Sequence, residues 1–468
     1  MNDYERKQFD EFFAAIEPNL AGYKHATLSY LALRKGEACQ LVQGRLLLHG
    51  VPPAIASKHF ESESLRAEVC RLDELKLNLK EVIESLLSGK LRTPHTELLF
   101  PPEKDRCHSV YFNPFHSDGV PFQQRQMQLH IRGDRRDRLE SPQLDWELKA
   151  AATPFDSVQE LCAEFSVGST NGDDATVEVI AFNVAAVAVE SSVNGTKANL
   201  VINLVNGLER EKSSIGYRII VRNAVVKRGT ISGASLSWQN TDAFQRGKSE
   251  IEVPAGAVLH CVACYAGRAQ HHYWIADPTA AQNPLRAVHH AFDSNLEVLQ
   301  ELISKAQSKG ADARDLEVAV AWLLWILGFS ATHIGAKPKT SDAPDLIATT
   351  PQGHFLVIEC TTGILKEDNK LPHLVSRAEK VRQSLAASGN KHLKVLPIIV
   401  TTKTREEVKA ESDQAHKLGV LVATREVFGE LINRSLLFPD ANRLYAEAEE
   451  ALHRLQSPSP FATLTTKT

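Results

Sequence analysis

Two acidic residues near the C-terminus are spaced so that they could share one metal ion. Asp345 opens an apolar run, and Glu359 lies fourteen residues later in a second apolar run, with a Pro-Gln-Gly turn between them. If residues 345–350 and 354–361 form antiparallel strands, the hairpin is centred on Gln352 and the two carboxylates lie directly opposite each other. Carboxylates so placed repel each other. A hard divalent cation such as Mg²⁺ relieves that repulsion, so the spacing predicts a metal site.

Basic residues follow the second carboxylate at spacings that would place them beside it. Lys366 lies five residues past Thr361, and a second helix is predicted over residues 369–387. Positions three and four apart share one face of a helix, and one such face is basic: Lys370, His373, Arg377 and Lys380. We therefore expect a cationic edge beside the site, suited to contact a nucleic-acid backbone.

The elements around these residues follow from hydrophobic periodicity. An amphipathic helix is predicted to end at Gly328, with Glu317 on it, and residues 355–358 are apolar on both faces, as in a central strand. The predicted order is helix 312–327, strand 330–334, the hairpin, helix 369–387, strand 395–400, helix 406–418 and strand 420–423.

This order, with Pro344-Asp345 and Glu359-Cys360-Thr361 inside it, resembles the PD-(D/E)XK nuclease superfamily, which includes Mrr-like and restriction-endonuclease-like domains. The resemblance covers roughly residues 311–435 and departs from the motif where Thr361 stands in place of lysine. It implies an α/β domain with a mixed central sheet flanked by helices. It also implies that Asp345, Glu359 and the Cys360 carbonyl hold Mg²⁺, with Mn²⁺ as a substitute, and that Glu317 supports a second metal or its water shell.

The resemblance implies a metal-dependent nuclease that hydrolyses phosphodiester bonds. Its catalytic residues would be Asp345, Glu359, Lys366, Lys370, Glu317 and Thr361. Either Lys366 or Lys370 would replace the family lysine and position the attacking water, while Thr361, on the strand face of Glu359, would orient a water. The resemblance favours DNA over RNA as substrate, and suggests a role in restriction or anti-phage defence.

Two other functions stay open at this stage. A nuclease fold that has lost catalysis, as Thr361 in the lysine position would allow, could serve as a nucleic-acid-binding or scaffold module. A ligand-activated nuclease could instead use an upstream β-rich region as its sensor. The sequence also leaves open whether the chain forms a homo-oligomer or has a partner subunit.

Composition sets looser limits on the whole chain. Its 468 residues are 43% hydrophobic and 24% charged with a net charge of −4, which excludes a wholly basic nucleic-acid coat. The longest apolar runs, residues 177–189 and 318–329, are too short to cross a bilayer. Seven scattered cysteines fit a reducing compartment better than a disulfide framework. We expect a cytoplasmic protein without a membrane segment.

The predicted secondary structure changes twice in the upstream sequence. We predict a mainly helical region over residues 1–150 that contains helices 4–16 and 63–87 and an irregular loop over 91–142. A β-rich, sandwich-like domain for recognition or regulation follows at 151–280, where Cys261 and Cys264 are expected to be buried thiols rather than zinc ligands. The remaining predicted segments are a helical connector at 281–310, the nuclease-like domain at 311–440, and a C-terminal helix and tail at 441–468.

Overall fold

The N-terminal part of the chain is built on one large, mostly antiparallel sheet. The computed structural model describes residues 3–51, 57–75, 78–100, 109–116, 125–135, 139, 142–168, 174–280, 282–305, 311–335, 342–363 and 370–456. The described strands of this sheet are β1 (Thr27–Lys35), β2 (Ala38–Leu48), β3 (Lys58–Glu61), β4 (Leu65–Arg71), β5 (Lys90–Arg92), β6 (Glu97–Leu99), β7 (Ser109–His116), β8 (Gln126–Arg135) and β9 (Asp174–Ala181). They follow the order β3-β4-β1-β2-β9-β8-β7, and β6 joins β2 to β5.

Among the described residues, four α-helices accompany this sheet. They are α1 (Asp3–Ile16), α2 (Leu79–Leu87), α3 (Pro142–Lys149) and α4 (Val158–Glu164). On one face of the sheet, Leu31 and Leu65 pack with Leu148 and Leu161 of α3 and α4. On the other face, residues such as Phe12 of α1 join the largest core of the molecule. Because both faces are covered, the inner strands are buried on both sides.

The prediction that residues 1–150 are mainly helical is wrong. Helix α1 agrees with it, but the predicted helix over 63–87 is strand β4 followed by the shorter helix α2. Leu65, Ala67 and Val69 of β4 belong to one core and Cys70 to the other, which is the two-residue period of a strand. Burial on both faces removes the polar alternation that would have marked a strand in the sequence.

The segment over 91–142 is not an irregular loop either, since strands β6, β7 and β8 lie within it. Arg132 lies in β8, where its exposed side chain forms an ion pair with Asp174 of β9 at 3.2 Å. Residues 136–138 of that predicted loop lie outside the described residues.

Two further sheets form a sandwich in the middle of the chain. Their strands are β10 (Ala185–Val187), β11 (Ser192–Asn194), β12 (Lys197–Val205), β13 (Ser213–Val221), β14 (Ala224–Ser232), β15 (Ser237–Asn240), β16 (Phe244–Glu252), β17 (Val258–Tyr265) and β18 (Arg268–Ala276). One sheet has the order β10-β12-β16-β15 with β11 beside β12, and the other has the order β14-β13-β17-β18. Leu200 and Ile202 of the first sheet share a core with Ile215 and Leu259 of the second. The β-rich expectation for this region is therefore confirmed.

The limits of the sandwich differ from those expected. Strand β9, placed by the sequence in the middle region, pairs with β2 and β8 of the N-terminal sheet. Strand β18 lies within the predicted β-rich region, near its C-terminal limit. Cys261 faces the core as predicted, whereas Cys264, predicted to be buried as well, is half-buried because residues three apart in a strand lie on opposite faces.

The C-terminal part is a mixed five-stranded sheet between helices. Helices α5 (Pro284–His290) and α6 (Glu297–Lys305) form the expected connector, and its residues 306–310 lie outside the described part. The following elements are α7 (Ala311–Ile326), β19 (Ser330–Thr332), β20 (Leu346–Thr349), β21 (Phe355–Thr361), α8 (Lys370–Ala387), β22 (Val395–Thr401), α9 (Lys409–Lys417), β23 (Leu421–Ala423), α10 (Arg425–Arg434) and α11 (Ala441–Gln456). The order helix, three strands, helix, strand, helix, strand is confirmed, and α10 is additional.

Helices cover both faces of this sheet. Strands β19, β20 and β21 are antiparallel neighbours, and β21, β22 and β23 are parallel neighbours. Leu316 and Leu323 of α7 pack on Ile358, whereas Leu374 of α8 packs on Val357. Neighbouring residues of β21 thus face opposite helices, and Glu359 shares the α8 side with Val357. Among the described helices, none combines the length and the hydropathy needed to cross a bilayer.

Candidate functional site

The β20–β21 hairpin has the register that the sequence predicted. Leu346 pairs with Ile358 and Thr349 pairs with Phe355, so the next pair outward is Asp345 with Glu359. The turn is closed by a hydrogen bond from the Gly353 N–H to the Thr350 carbonyl at 2.9 Å. The predicted cross-strand placement of the two acids is confirmed.

Asp345 is held at the mouth of the hairpin by the backbone of the opposite strand. Its Oδ2 accepts a hydrogen bond from the Cys360 N–H at 2.8 Å. The residue is half-buried and lies one position before the strand proper. This bond uses one carboxylate oxygen and fixes the orientation of the group toward β21.

Glu359 is almost fully buried, at 3% exposure, and has a guanidinium partner. Arg377 Nη1 of α8 donates to Glu359 Oε1, and Arg377 Nε donates to the Asp342 carbonyl at 3.0 Å. Burial, together with the charge of Asp345, raises the pKa of Glu359 to about 7 against the opposing effect of Arg377. Arg377, expected to contact nucleic acid, instead turns inward to this carboxylate.

Glu317 of α7 is a third acidic residue, and it interacts electrostatically with Asp345. Burial and then the charge of Asp345 raise the pKa of Glu317 to about 7, while Lys370 and Arg314 oppose that shift. His333 Nδ1 lies 3.9 Å from Glu317 Oε2. Neither His333 nor Arg314 was predicted as a site residue, because neither belongs to the motif or to the basic face of α8.

Of the two candidate lysines, Lys370 is the one that the described residues include, and it lies at the site. Its Nζ donates to the Cys360 carbonyl at 2.6 Å, and its charge opposes the pKa increases of both Glu317 and Glu359. Lys366, the other candidate, lies outside the described residues. The ammonium of Lys370 therefore lies among the acids, although it comes from a helix rather than from the strand.

The remaining predicted residues lie at the margin of this group. Thr361 is buried, and its Oγ1 accepts a hydrogen bond from the Gly363 N–H at 3.2 Å. His373 is exposed on α8. Lys380 Nζ pairs with Asp342 Oδ2 at 2.5 Å, on the surface. Asp342 was missed by the sequence analysis, although it lies only three residues before Asp345.

The donor chemistry fits a hard cation. Carboxylate and carbonyl oxygens are what Mg²⁺ prefers, and it binds through as few as one or two carboxylates while keeping several waters. Burial, and then the charge of Asp345, raise the pKa values of Glu317 and Glu359, while Lys370 opposes both shifts and Arg377 opposes that of Glu359. Within the described ranges, no group of three or more His, Cys, Asp or Glu side chains is arranged to hold a metal ion. The pair Asp345 and Glu359 is thus the expected holding site, and the Cys360 carbonyl already accepts a bond from Lys370.

Comparison with known proteins does not add a family. No family model matches the chain, and no curated protein matches it. Among solved structures, a teleost fish polymeric Ig receptor ectodomain is 10% identical over 55% of this chain and 85% of that chain, with a TM-score of 0.16. A marsupial T cell receptor is 10% identical over 54% of this chain and 81% of its own, with a TM-score of 0.14. Scores this low do not indicate a common fold, so function must be inferred from the geometry of the site.

Proposed function

We propose that the C-terminal part of this protein is a Mg²⁺-dependent nuclease of the PD-(D/E)XK kind that hydrolyses phosphodiester bonds of DNA. The observation that carries the proposal is the cross-strand pairing of Asp345 with Glu359, beside the ammonium of Lys370. If the Pro-Asp and Glu-X-Thr matches were accidental, there would be no reason for their acidic residues to lie opposite each other in a hairpin, beside a lysine and a third acid. The mixed sheet with helices on both faces is the architecture that this superfamily would require.

Asp345 and Glu359 would hold the cation, with Glu317 nearby to bind its waters. Such a cation, when bound, supplies a Lewis acid and lowers the pKa of water. Lys370 Nζ would orient the attacking water and offset negative charge that develops on the phosphate. Glu317, with its pKa near 7, can accept a proton at neutral pH.

Exposed basic side chains on α8 would contact the substrate backbone. His373 lies at the surface on the same helix face as Lys370, and Lys380 extends that face. Lys and Arg contacts to phosphates position a nuclease without reading sequence, so selection would come from the N-terminal sheet and the sandwich. A role in restriction or anti-phage defence, and a cytoplasmic location, belong to the same proposal.

Plasmid cleavage with Mg²⁺ or Mn²⁺ tests the proposal. We expect wild-type protein to cut, and Asp345→Ala, Glu359→Ala and Lys370→Ala each to lower the rate by about a hundredfold or more. Lys391→Ala is the matched control, because Lys391 is an exposed lysine beyond the end of α8. Cutting that survives both acid substitutions would show that the site lies elsewhere.

A second candidate function is a catalytically inactive module that binds nucleic acid. The observation that favours it is that Arg377 already pairs with Glu359, and Lys370 already pairs with the Cys360 carbonyl. In that case no cleavage is expected with either metal, whereas DNA binding persists and weakens in Lys380→Ala. Measuring binding and cleavage on the same preparations separates the two functions.

A further inference from the structure

A polar cleft separates the outer face of the sandwich from the last two helices. Its volume is about 510 Å³, within the usual range for small-molecule sites. One wall comes from strands β13, β17 and β18, and the other comes from α10, α11 and the segment that joins them. The cleft therefore lies between two parts of the chain and is separate from the Asp345 site.

The sheet wall is a row of side chains across three strands. Arg218 pairs in register with His260, and His260 pairs with Trp274. Their chain neighbours Ile219, Leu259, Cys261 and Ile275 face the core, so this row faces outward. His260 lies against Trp274, with ring centroids 4.6 Å apart. The wall thus combines a guanidinium with flat aromatic surface.

Hydrogen bonds fix the protonation of this row. Arg218 Nη2 and Nε lie 2.5 Å and 3.2 Å from His260 Nδ1, which must accept, so the neutral ring carries its proton on Nε2. His260 Nε2 then donates to His272 Nδ1 at 3.1 Å. Burial, Arg218 and His272 lower the pKa of His260 to about 3. His260 is therefore an uncharged acceptor and leaves the charge of Arg218 uncompensated.

The helix wall carries two guanidiniums and two carboxylates, so its charges balance and do not offset the charge of Arg218. Glu447 accepts from both Arg434 and Arg443, the latter at 2.8 Å. Counting all lining residues, three guanidiniums face the two carboxylates of Glu430 and Glu447. Among the described carboxylates, none forms an ion pair with Arg218. An anionic ligand would balance the positive charge of Arg218.

We propose that this cleft binds a small phosphorylated ligand that carries a planar aromatic ring, with a mononucleotide as its simplest form. Guanidinium groups suit phosphate because their planar donors match its oxygens. The surface of Trp274 and the histidine rings would stack against the ring of the ligand. This site goes beyond the proposed nuclease activity and does not depend on it.

Isothermal titration calorimetry of the full chain with AMP, in the presence of EDTA, tests the site without any nuclease reaction. We expect AMP to bind, and adenosine and ribose 5-phosphate each to bind at least about tenfold more weakly, because each lacks one of the two recognised groups. A 5′-phosphorylated oligonucleotide forms a second arm. Binding of the oligonucleotide without binding of AMP, if lost in Arg218→Ala, would overturn the small-ligand proposal and assign the same cleft to the end of a nucleic-acid strand.

Substitutions locate the binding within the cleft. Arg218→Ala is expected to weaken AMP binding by about tenfold or more, and Arg218→Lys by less, because it keeps the charge but not the planar fork. Arg454→Ala, at a residue of α11 whose side chain is 72% exposed, removes the same charge outside the cleft and should change affinity by less than about twofold. Thermal unfolding of each variant confirms that it is folded. Equal affinity in wild type, Arg218→Ala and Arg218→Lys, or no binding of either phosphorylated probe, would overturn the proposal, whatever the outcome of the cleavage assay.

Discussion

The buried carboxylate of Glu359 limits which interpretations of the site are physically possible. A carboxylate inside an apolar strand costs several kcal/mol unless it is protonated, paired or metal-bound. The apolar run around Glu359 indicated that it needed such compensation, and the predicted partner was a cation shared with Asp345. The structure adds Arg377, which comes from α8 eighteen residues later. The basic periodicity of α8 was visible, but the direction of each side chain depended on how the helix packs on the sheet.

The raised pKa of Glu317 predicts a specific dependence of stability on pH. The folded state holds its proton up to about pH 7, whereas the ordinary value for this carboxyl is 4.5. Between these values the folded state binds more protons than the unfolded state, so the free energy of unfolding falls as pH rises. We expect Glu317→Gln to reduce this fall by roughly 1–2 kcal/mol, after allowance for partial solvent screening.

Urea unfolding between pH 4 and pH 8 measures this effect. Glu359 contributes in the same direction, so part of the slope should remain in Glu317→Gln. Glu450→Gln, at a side chain that is 69% exposed on α11, is the matched control and should leave the slope as in wild type. A slope in Glu317→Gln equal to that of wild type would mean that Glu317 titrates normally in the folded protein.

Among the secondary-structure elements, the β20–β21 hairpin was predictable because the residues that determine its turn are adjacent in the sequence. Gly353 has φ of +86°, a left-handed conformation that glycine adopts without steric cost. The short turn, centred on Gln352, then sets the register of the two strands. The opposition of Asp345 and Glu359 follows from these two local facts.

Gly353→Ala should therefore destabilise the hairpin. A Cβ at this position costs about 1–2 kcal/mol in the left-handed region, and it would lie 3.3 Å from Leu393 Cδ2. Gly353→Asn introduces a similar Cβ but tolerates the conformation better, so it should cost less. Chemical denaturation compares the two variants. Equal losses would attribute the effect to the Leu393 contact and not to the backbone.

The N-terminal sheet shows why prediction from local sequence patterns failed for residues 1–150. Strand β1 is buried on both faces over its first seven residues, so it has no alternating polar side. A short apolar run of this kind does not distinguish a strand from a buried helix. These residues form a strand because they pair with β2 and β4, which lie up to 44 residues away in the chain.

At the scale of the whole molecule, one asparagine joins three parts of the fold. Asn283 is fully buried, and its Nδ2 donates to the carbonyls of Ile326 at 2.8 Å and Ser435 at 2.9 Å. Its Oδ1 accepts from the Leu285 and Arg286 N–H groups and caps α5. The connector is thereby fixed to the ends of α7 and α10.

Asn283→Ala is expected to lower the free energy of unfolding by about 2–4 kcal/mol, because two buried carbonyls lose their donor and α5 loses its cap. Asn206 is the matched control: its Nδ2 also donates to two carbonyls, those of Thr241 and Asp242, but at the surface. Asn206→Ala should cost less than about 1 kcal/mol. Guanidinium unfolding of both variants measures the difference, and similar costs would show that Asn283 does not join the parts as described.

Local patterns in the chain were enough to predict the C-terminal order of elements, the hairpin register and the identity of the paired acids, because turn chemistry and two- or four-residue periods act over short stretches of chain. Packing in three dimensions was needed to show that Arg377 turns to Glu359, that Lys370 contacts the Cys360 carbonyl, and that β9 belongs to the N-terminal sheet. It also decided that Arg218 and Arg434 line one cleft. These contacts join residues far apart in the chain, and packing between elements, which no local pattern encodes, sets which of them meet.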